Sequence, residues 1–323
     1  MLPTGSADRL AAPTDRLSTD HPSADHPSTD RLATDGLPAA PSPGDRLPAR
    51  PLRIAAAQAE VTAGDVPANA ATAAALIREA AAAGARLVVF AEKFLSGYEP
   101  ALIQADPARH AVQPGDPRLA PIAQACRESA TAAVVGAAVQ DEAGALRVSA
   151  LVFGPDGRLS TRYDKQYLFK TEQAVYLPGT SGCTIELDGW RLGLGVCYDS
   201  GFPEHARAAA LDGCHAYLVG ALFSVGHGHH ESRTWFPARA LDNTVYTLLA
   251  NHIGRTGGWH TCGASAVWAP DGRLLAEAGE DGRELVVVDL DPAVLGAVRQ
   301  SETLLHDLRT GPAAAPRRLH RLG

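Results

Sequence analysis

Three residues able to support acyl-transfer chemistry stand at or near the ends of apolar runs. Glu92 closes Arg86-Leu-Val-Val-Phe-Ala-Glu, Lys165 lies in Thr161-Arg-Tyr-Asp-Lys-Gln-Tyr-Leu-Phe, and Cys197 follows Arg191-Leu-Gly-Leu-Gly-Val. A thiol supplies a nucleophile, a carboxylate a base, and an ammonium a partner for a developing oxyanion. Small glycines before Cys197 and a helix start at Pro203 predict a sharp strand-to-helix turn that exposes sulfur and aims backbone N–H groups outward. A helix N-terminus and a nearby cation would stabilise its thiolate. Glu92, at the end of so apolar a strand, should have its pKa raised by desolvation, which suits a base. Read singly, each residue has a plainer alternative: an inert buried cysteine, a strand-end surface acid, a solvated lysine.

The surrounding elements must bring these groups together. Leu52 to Ala59 reads as a strand, and Asn69 to Ala83 as an Ala-rich helix with Asn69 as N-cap and Gly84 as its stop. Arg86 to Phe90 is a buried strand, Pro117 to Ser129 a helix and Ala132 to Gln140 a strand. Beyond Cys197, helices are expected over Pro203 to Leu211 and near Arg233 to Asn243. Strands are expected over Ala216 to Leu222, Val245 to Asn251, Ser265 to Trp268 and Glu284 to Leu290. This alternation argues for layered α/β. Phe153-Gly-Pro-Asp-Gly-Arg-Leu159 and Trp268-Ala-Pro-Asp-Gly-Arg-Leu274 are near copies with hairpin chemistry, a hint of internal duplication.

The strings around the three residues resemble the carbon-nitrogen hydrolase, or nitrilase, superfamily from about Arg53 to about Leu290. Cys197-Tyr-Asp-Ser-Gly-Phe-Pro-Glu204 resembles its nucleophile motif, and Glu92-Lys-Phe-Leu-Ser-Gly-Tyr98 its glutamate motif, with Ala91 where Pro is usual. Lys165 matches its lysine, although Tyr167 stands where His is usual. Glu172, six residues before Pro178-Gly179, matches a second glutamate that orients substrate or the lysine. Thr234 to Asn243 resembles a family helix, with Pro237 as an intruder that could kink it. Asn251 to Gly254, Gly263-Ala-Ser265 and Pro270-Asp-Gly272 follow the family's closing pattern.

The resemblance implies a four-layer αββα sandwich with an internal pseudo-twofold. It also implies Glu92 as general base, Lys165 as oxyanion-stabilising cation and Cys197 as nucleophile, with the Tyr198 backbone N–H helping to hold the oxyanion. The reaction needs no metal or organic cofactor. Cys-Tyr-Asp in place of Cys-Trp-Glu is similar to amidase-type branches, which implies hydrolysis of a small linear amide to carboxylate and ammonia through a thioester. An N-carbamoyl amine or amino acid hydrolase is the runner-up; a nitrilase, an N-acyltransferase and a non-catalytic scaffold follow. Tyr98, Tyr198 and Phe223 are candidate pocket walls or else core residues, and Arg233 or Arg255 could receive a substrate carboxylate. Family members are commonly dimers or larger, so a homo-oligomer is expected.

Bulk properties fit that reading. The 323 residues carry a net charge of -7, with no basic footprint for nucleic acid. The sequence has no apolar run of about 18 residues to span a membrane and no apolar core of a secretory signal near its start, so a cytoplasmic protein is expected. The five cysteines, with no CxxC pair, read as reduced thiols. Residues 1–50 repeat Thr-Asp-Arg-Leu and Asp-His-Pro-Ser themes without any aromatic, Ile or Val, and are expected to be a disordered extension. The hydrolase domain is placed at 51–308 and a loose Pro/Arg-rich tail at 309–323. His227, His229 and His230 are expected on a loop near the site mouth, as solvated residues, substrate contacts or metal ligands.

Overall fold

The computed structural model describes residues 46–311 and 316–321. The extension expected over residues 1–50 therefore lies outside the described residues except at its end. There Pro48 is buried and the Trp190 indole donates to the Arg50 carbonyl at 2.9 Å, so folded contacts reach back before Pro51.

Fourteen strands and eight helices alternate along the described chain. The strands are β1 (Leu52–Gln58), β2 (Leu87–Val89), β3 (Ala132–Gln140), β4 (Leu146–Phe153), β5 (Leu159–Asp164), β6 (Thr184–Leu187) and β7 (Trp190–Val196). They continue as β8 (Ala216–Ala221), β9 (Tyr246–Asn251), β10 (Arg255–Thr256), β11 (Trp259–His260), β12 (Ala266–Trp268), β13 (Leu274–Glu277) and β14 (Glu284–Leu290). The helices are α1 (Val66–Ala82), α2 (Pro100–Ala105), α3 (Pro107–His110), α4 (Ala120–Ser129), α5 (Pro203–Leu211), α6 (His227–Asn243), α7 (Pro292–Ser301) and α8 (Leu304–Thr310).

Two six-stranded sheets run β14-β1-β2-β3-β4-β5 and β6-β7-β8-β9-β12-β13. Each has the same sequence of pairings: one antiparallel edge, three parallel strands, then an antiparallel hairpin. Both hairpins turn on the Pro-Asp-Gly segments and both slip register beside the turn, at Val152/Phe153 and Val267/Trp268. The duplicated topology is the pseudo-twofold.

Burial on both faces explains why the strands read as continuous apolar runs rather than as alternating ones. Ile54, Val89, Val134, Leu194, Leu218 and Leu248 pack between the sheets. The opposite faces of the first sheet, through Val88, Phe90 and Val135, meet α1 and α4. Those of the second, through Tyr217, Val219 and Leu249, meet α5 and α6. The result is helix, sheet, sheet, helix.

Local expectations needed three corrections. Helix α1 starts before Asn69: the Asp65 carboxylate accepts from the Ala68 N–H at 3.0 Å and is the N-cap. Asn69 instead lies buried inside the helix, donating to the carbonyls of Thr62 (2.8 Å) and Leu95 (3.0 Å). Helix α6 begins at His227, so the histidines sit in its first turn rather than on a loop, and it runs through Pro237 to Asn243. Helix α8 extends to Thr310, two residues past the boundary set for the folded domain.

Candidate active site

Glu92 is carried on a nine-residue segment that leaves β2 and runs to Tyr98. That segment is gripped by glycines on either side. A Cβ at Gly136 of β3 would stand 2.1 Å from the Ala91 carbonyl oxygen, and one at Gly220 of β8 would stand 2.3 Å from that of Phe90. Only glycine permits so close a backbone approach. His252, just past β9, adds a third fixing point: its Nε2–H donates to the Glu92 carbonyl at 2.6 Å. Burial lowers the His252 pKa to about 4, so the ring is neutral, and its acceptor there being a carbonyl assigns the proton to Nε2. Asn69 ties the same segment to α1 through Leu95.

Lys165 follows β5 and is fully buried, as are Glu92 and Glu172. Its ammonium donates to Glu92 Oε1 and to Glu172 Oε2, each at 2.7 Å. Glu172 Oε2 also accepts from the Phe169 N–H at 2.9 Å, while Glu172 Oε1 accepts from Lys93 at 3.2 Å. Lys93 is buried too; it lies within the glutamate motif string, which by itself assigns it no role. Glu92 Oε2 is buried with no hydrogen-bond partner.

The two carboxylates titrate in opposite directions for a clear reason. Burial raises Glu92 to about 7, only partly offset by Lys165. Burial also pushes Glu172 upward, but Lys165, Lys93 and the Phe169 N–H together outweigh it and hold this carboxyl well below the usual range. Lys165 is pulled down by burial and lifted further by Glu92 and Glu172, so it stays charged. The cluster therefore contains one permanent carboxylate and one carboxyl poised near neutrality.

Cys197 follows β7 with a left-handed backbone, φ +46°, and opens a 3-10 turn over Cys197–Gly201 that precedes α5. Such a conformation costs a non-glycine residue about 1–3 kcal/mol and projects the thiol from the end of the strand. Asp199 and Arg239 hold the turn. Asp199 accepts from the Val196 N–H (2.9 Å), the Tyr163 hydroxyl (2.7 Å) and the Tyr167 N–H (2.9 Å), joining the cysteine turn to the lysine strand. Arg239 of α6 donates to the carbonyls of Ser200 and Gly201, each at 3.0 Å. Tyr167, at the position where His is usual, stacks on Phe202 with ring centroids 3.7 Å apart.

The thiol is not a resting thiolate, contrary to the expectation from a helix N-terminus and a cation. Burial drives its pKa well above the ordinary value and Glu92 pushes in the same direction, which outweighs Lys165. Sγ–H donates to the Leu222 carbonyl at 3.6 Å. The sulfur therefore keeps its proton at rest.

Cys197 lines a cavity of about 360 Å³ together with Tyr98, Phe169, Tyr198, Phe223, Trp235 and Trp259. Lys170, His227 and Glu231 supply its charged or titratable wall, with His227 Nε2 3.2 Å from Glu231. Tyr98, Tyr198 and Phe223 thus stand beside the sulfur; Asn251 fixes Phe223, accepting from its N–H at 2.8 Å. Arg233 does not line this cavity: it pairs with Glu277 and lies over the Trp268 ring. Arg255 is exposed on β10. Among the described residues no group of three His, Cys, Asp or Glu side chains is placed to hold a metal ion, so the histidine turn forms no such centre. Nor is any described helix long and apolar enough to cross a membrane.

Comparison with known proteins gives one consistent match. The family model described as carbon-nitrogen hydrolase matches residues 53–300. Omega-amidase NIT2 of Homo sapiens is 30% identical over 252 residues, covering 75% of this chain and 90% of that protein. An (R)-stereoselective amidase of a Pseudomonas species is 34% identical over 227 residues, 69% of this chain and 79% of the relative. Among solved structures, Saccharomyces cerevisiae Nit3, a member of branch 10 of the nitrilase superfamily, superposes with a TM-score of 0.73 at 27% identity. That match covers 79% of this chain and 96% of Nit3.

Proposed function

This chain belongs to the carbon-nitrogen hydrolase family, and on that premise we propose that it converts a small linear amide to a carboxylate and ammonia through a thioester on Cys197. The observation that carries the reading is the buried ammonium of Lys165, held at 2.7 Å by both Glu92 and Glu172, near a cysteine that lines a small aromatic cavity.

The steps follow from that arrangement. Glu92, with an unpartnered carboxylate oxygen, accepts the thiol proton as sulfur attacks the amide carbon. Lys165 and the Tyr198 N–H receive the charge that forms on the carbonyl oxygen. The protonated Glu92 then delivers its proton to the departing nitrogen, leaving an acyl thioester and ammonia. Water, deprotonated by Glu92, attacks the thioester; sulfur leaves, recovers its proton, and the carboxylic acid is released. Glu172, kept anionic by two ammoniums, orients Lys165 throughout. An N-carbamoyl substrate would use the same groups, with a carbamoyl thioester as the intermediate.

A second reading of substrate class has its own support. Lys170 lines the cavity and no described carboxylate pairs with it, which suits an acyl chain ending in a carboxylate. The relatives named omega-amidase agree with that preference.

Ammonia release from a panel of neutral amides, ω-amides of dicarboxylates, N-carbamoyl compounds and nitriles tests both readings. Intact-mass measurement after acid quench during turnover should find the wild-type protein heavier by the acyl group of the preferred amide, and Cys197→Ala should show no such adduct. A panel in which no member releases ammonia would end the proposal.

A further inference from the structure

Lys93 gives and takes no proton in the reaction above. It has a left-handed backbone, φ +48°, and a fully buried side chain directed to the far side of Glu172 from Lys165. Its Nζ lies 3.2 Å from Glu172 Oε1, 3.4 Å from the centroid of the Tyr98 ring and 4.9 Å from that of Tyr176. Its Nζ is thus enclosed by one carboxylate and two aromatic rings. Burying an ammonium is unfavourable unless it is paired, and here a carboxylate and two aromatic faces supply the pairing.

The consequence appears when the charges around Glu92 are counted. Facing it are Lys93 and Tyr98 from its own segment, Lys165 after β5, Glu172 and Tyr176 from the next loop, and Cys197 after β7. His252, on the Glu92 carbonyl, is neutral. With Lys93 present, two ammoniums balance two carboxylates. Without it, one ammonium would serve both, and in such a site one carboxyl keeps its proton. Glu172 has the Phe169 N–H as an additional donor, whereas Glu92 Oε2 has no partner, so Glu92 would keep it.

We propose that Lys93 is a positioning residue: by neutralising Glu172 from behind, it leaves Lys165 free to balance Glu92 and so allows Glu92 to stand as the ionised base beside Cys197. Lys93 acts through the charge balance. The shifts agree in direction, since Lys93 lowers the Glu92 pKa against the larger effect of burial. Burial lowers the Lys93 pKa as well, and Glu172 and Glu92 work to restore it.

This inference rests on the reading of Glu92 as base and Cys197 as nucleophile, and the experiment separates the two. The rate of Cys197 alkylation by iodoacetamide is followed against pH in the wild-type protein, Lys93→Met and Lys93→Arg, alongside amide hydrolysis. Alkylation needs no turnover and reports how readily Glu92 takes the thiol proton. The midpoint should move up by about one pH unit in Lys93→Met and return toward the wild-type value in Lys93→Arg. A purely structural role would lower the melting temperature or the plateau rate without moving the midpoint, and an unmoved midpoint overturns the proposal. If Lys93→Met does not fold, Lys93→Gln replaces it, since it keeps a polar contact with Glu172 but no charge and should show the same upward shift. Failure of the wild-type protein to hydrolyse any amide would instead overturn the proposed function.

Discussion

The two halves of the sandwich share one topology, yet their equivalent strand ends do different work. In the first half β1 ends on Gln58, β2 leads to Glu92 and β5 leads to Lys165; in the second, β7 leads to Cys197, β8 to Phe223 and β13 to Ala278. The proposed catalytic groups thus sit at two ends of one half and one end of the other. The remaining ends are structural or form walls. Gln58 accepts from the Ser265 N–H at 3.0 Å and donates to the Gly279 carbonyl at 2.9 Å, closing the end of the second hairpin where the first presents a lysine. Duplication supplies places, and the residue type at each place decides what it can do there.

The sharpest attempt to break this contrast exchanges the reactive ends for inert ones. Cys197→Ala and Lys165→Met should each lower kcat/KM by about 10⁴-fold or more, measured by ammonia release. Substitution at the glycines that grip the glutamate segment comes next. Gly136→Ala or Gly220→Ala should reduce kcat by about 10²-fold, because a displacement of about 1 Å at the base suffices for that. A kcat close to wild type in either variant would mean that the segment is not held as described.

The pH profile follows in size. Burial raises Glu92 to about 7, and the carboxyl must be ionised to accept the thiol proton. Activity should therefore be present above about pH 7 and fall about tenfold per unit below it; a kcat/KM flat between pH 5 and 7 would contradict this. A smaller effect is expected at the cavity wall. Lys170→Ala should raise KM several-fold, by about 1 kcal/mol, for amides bearing a distal carboxylate and leave neutral amides unaffected. The smallest change in rate belongs to the fastening end. Gln58→Leu should cost about 1–3 kcal/mol of stability, read from chemical denaturation, while kcat stays near wild type. If kcat collapses with it, the division between reacting and fastening ends fails.

Much of this contrast is legible in the sequence. The Pro-Asp-Gly copies mark the two hairpins because only a few turn types accept that triplet, and the apolar runs mark strands covered on both faces. Glu92, Lys165, Glu172 and Cys197 stand out from motif strings, and three of them meet in one hydrogen-bonded cluster. Asn69 and the histidine turn are misplaced by the sequence because propensity sees only neighbours along the chain. Asn69 resembles a cap, but its partners at Thr62 and Leu95 come from a loop and from the glutamate segment. The start of α6 at His227, capped by Gly226, likewise carries no strong local signal. Lys93, His252 and Arg239 lie within the resembling strings, yet the strings do not disclose their contacts: a lysine beside a strand end looks solvated until two rings and a carboxylate enclose it.

What the amino-acid order settled by itself was the alternation of elements, the repeated turns and which side chains can do acid, base or thiol chemistry, since these depend on local conformational preference and residue type. What only the tertiary structure decided was the electrostatics. Whether a carboxyl rests charged, whether a thiol keeps its proton and whether a lysine is buried all depend on distances between segments far apart in the chain. Those distances follow from how the two sheets pack face to face around close glycine contacts, and no window of neighbouring residues contains them.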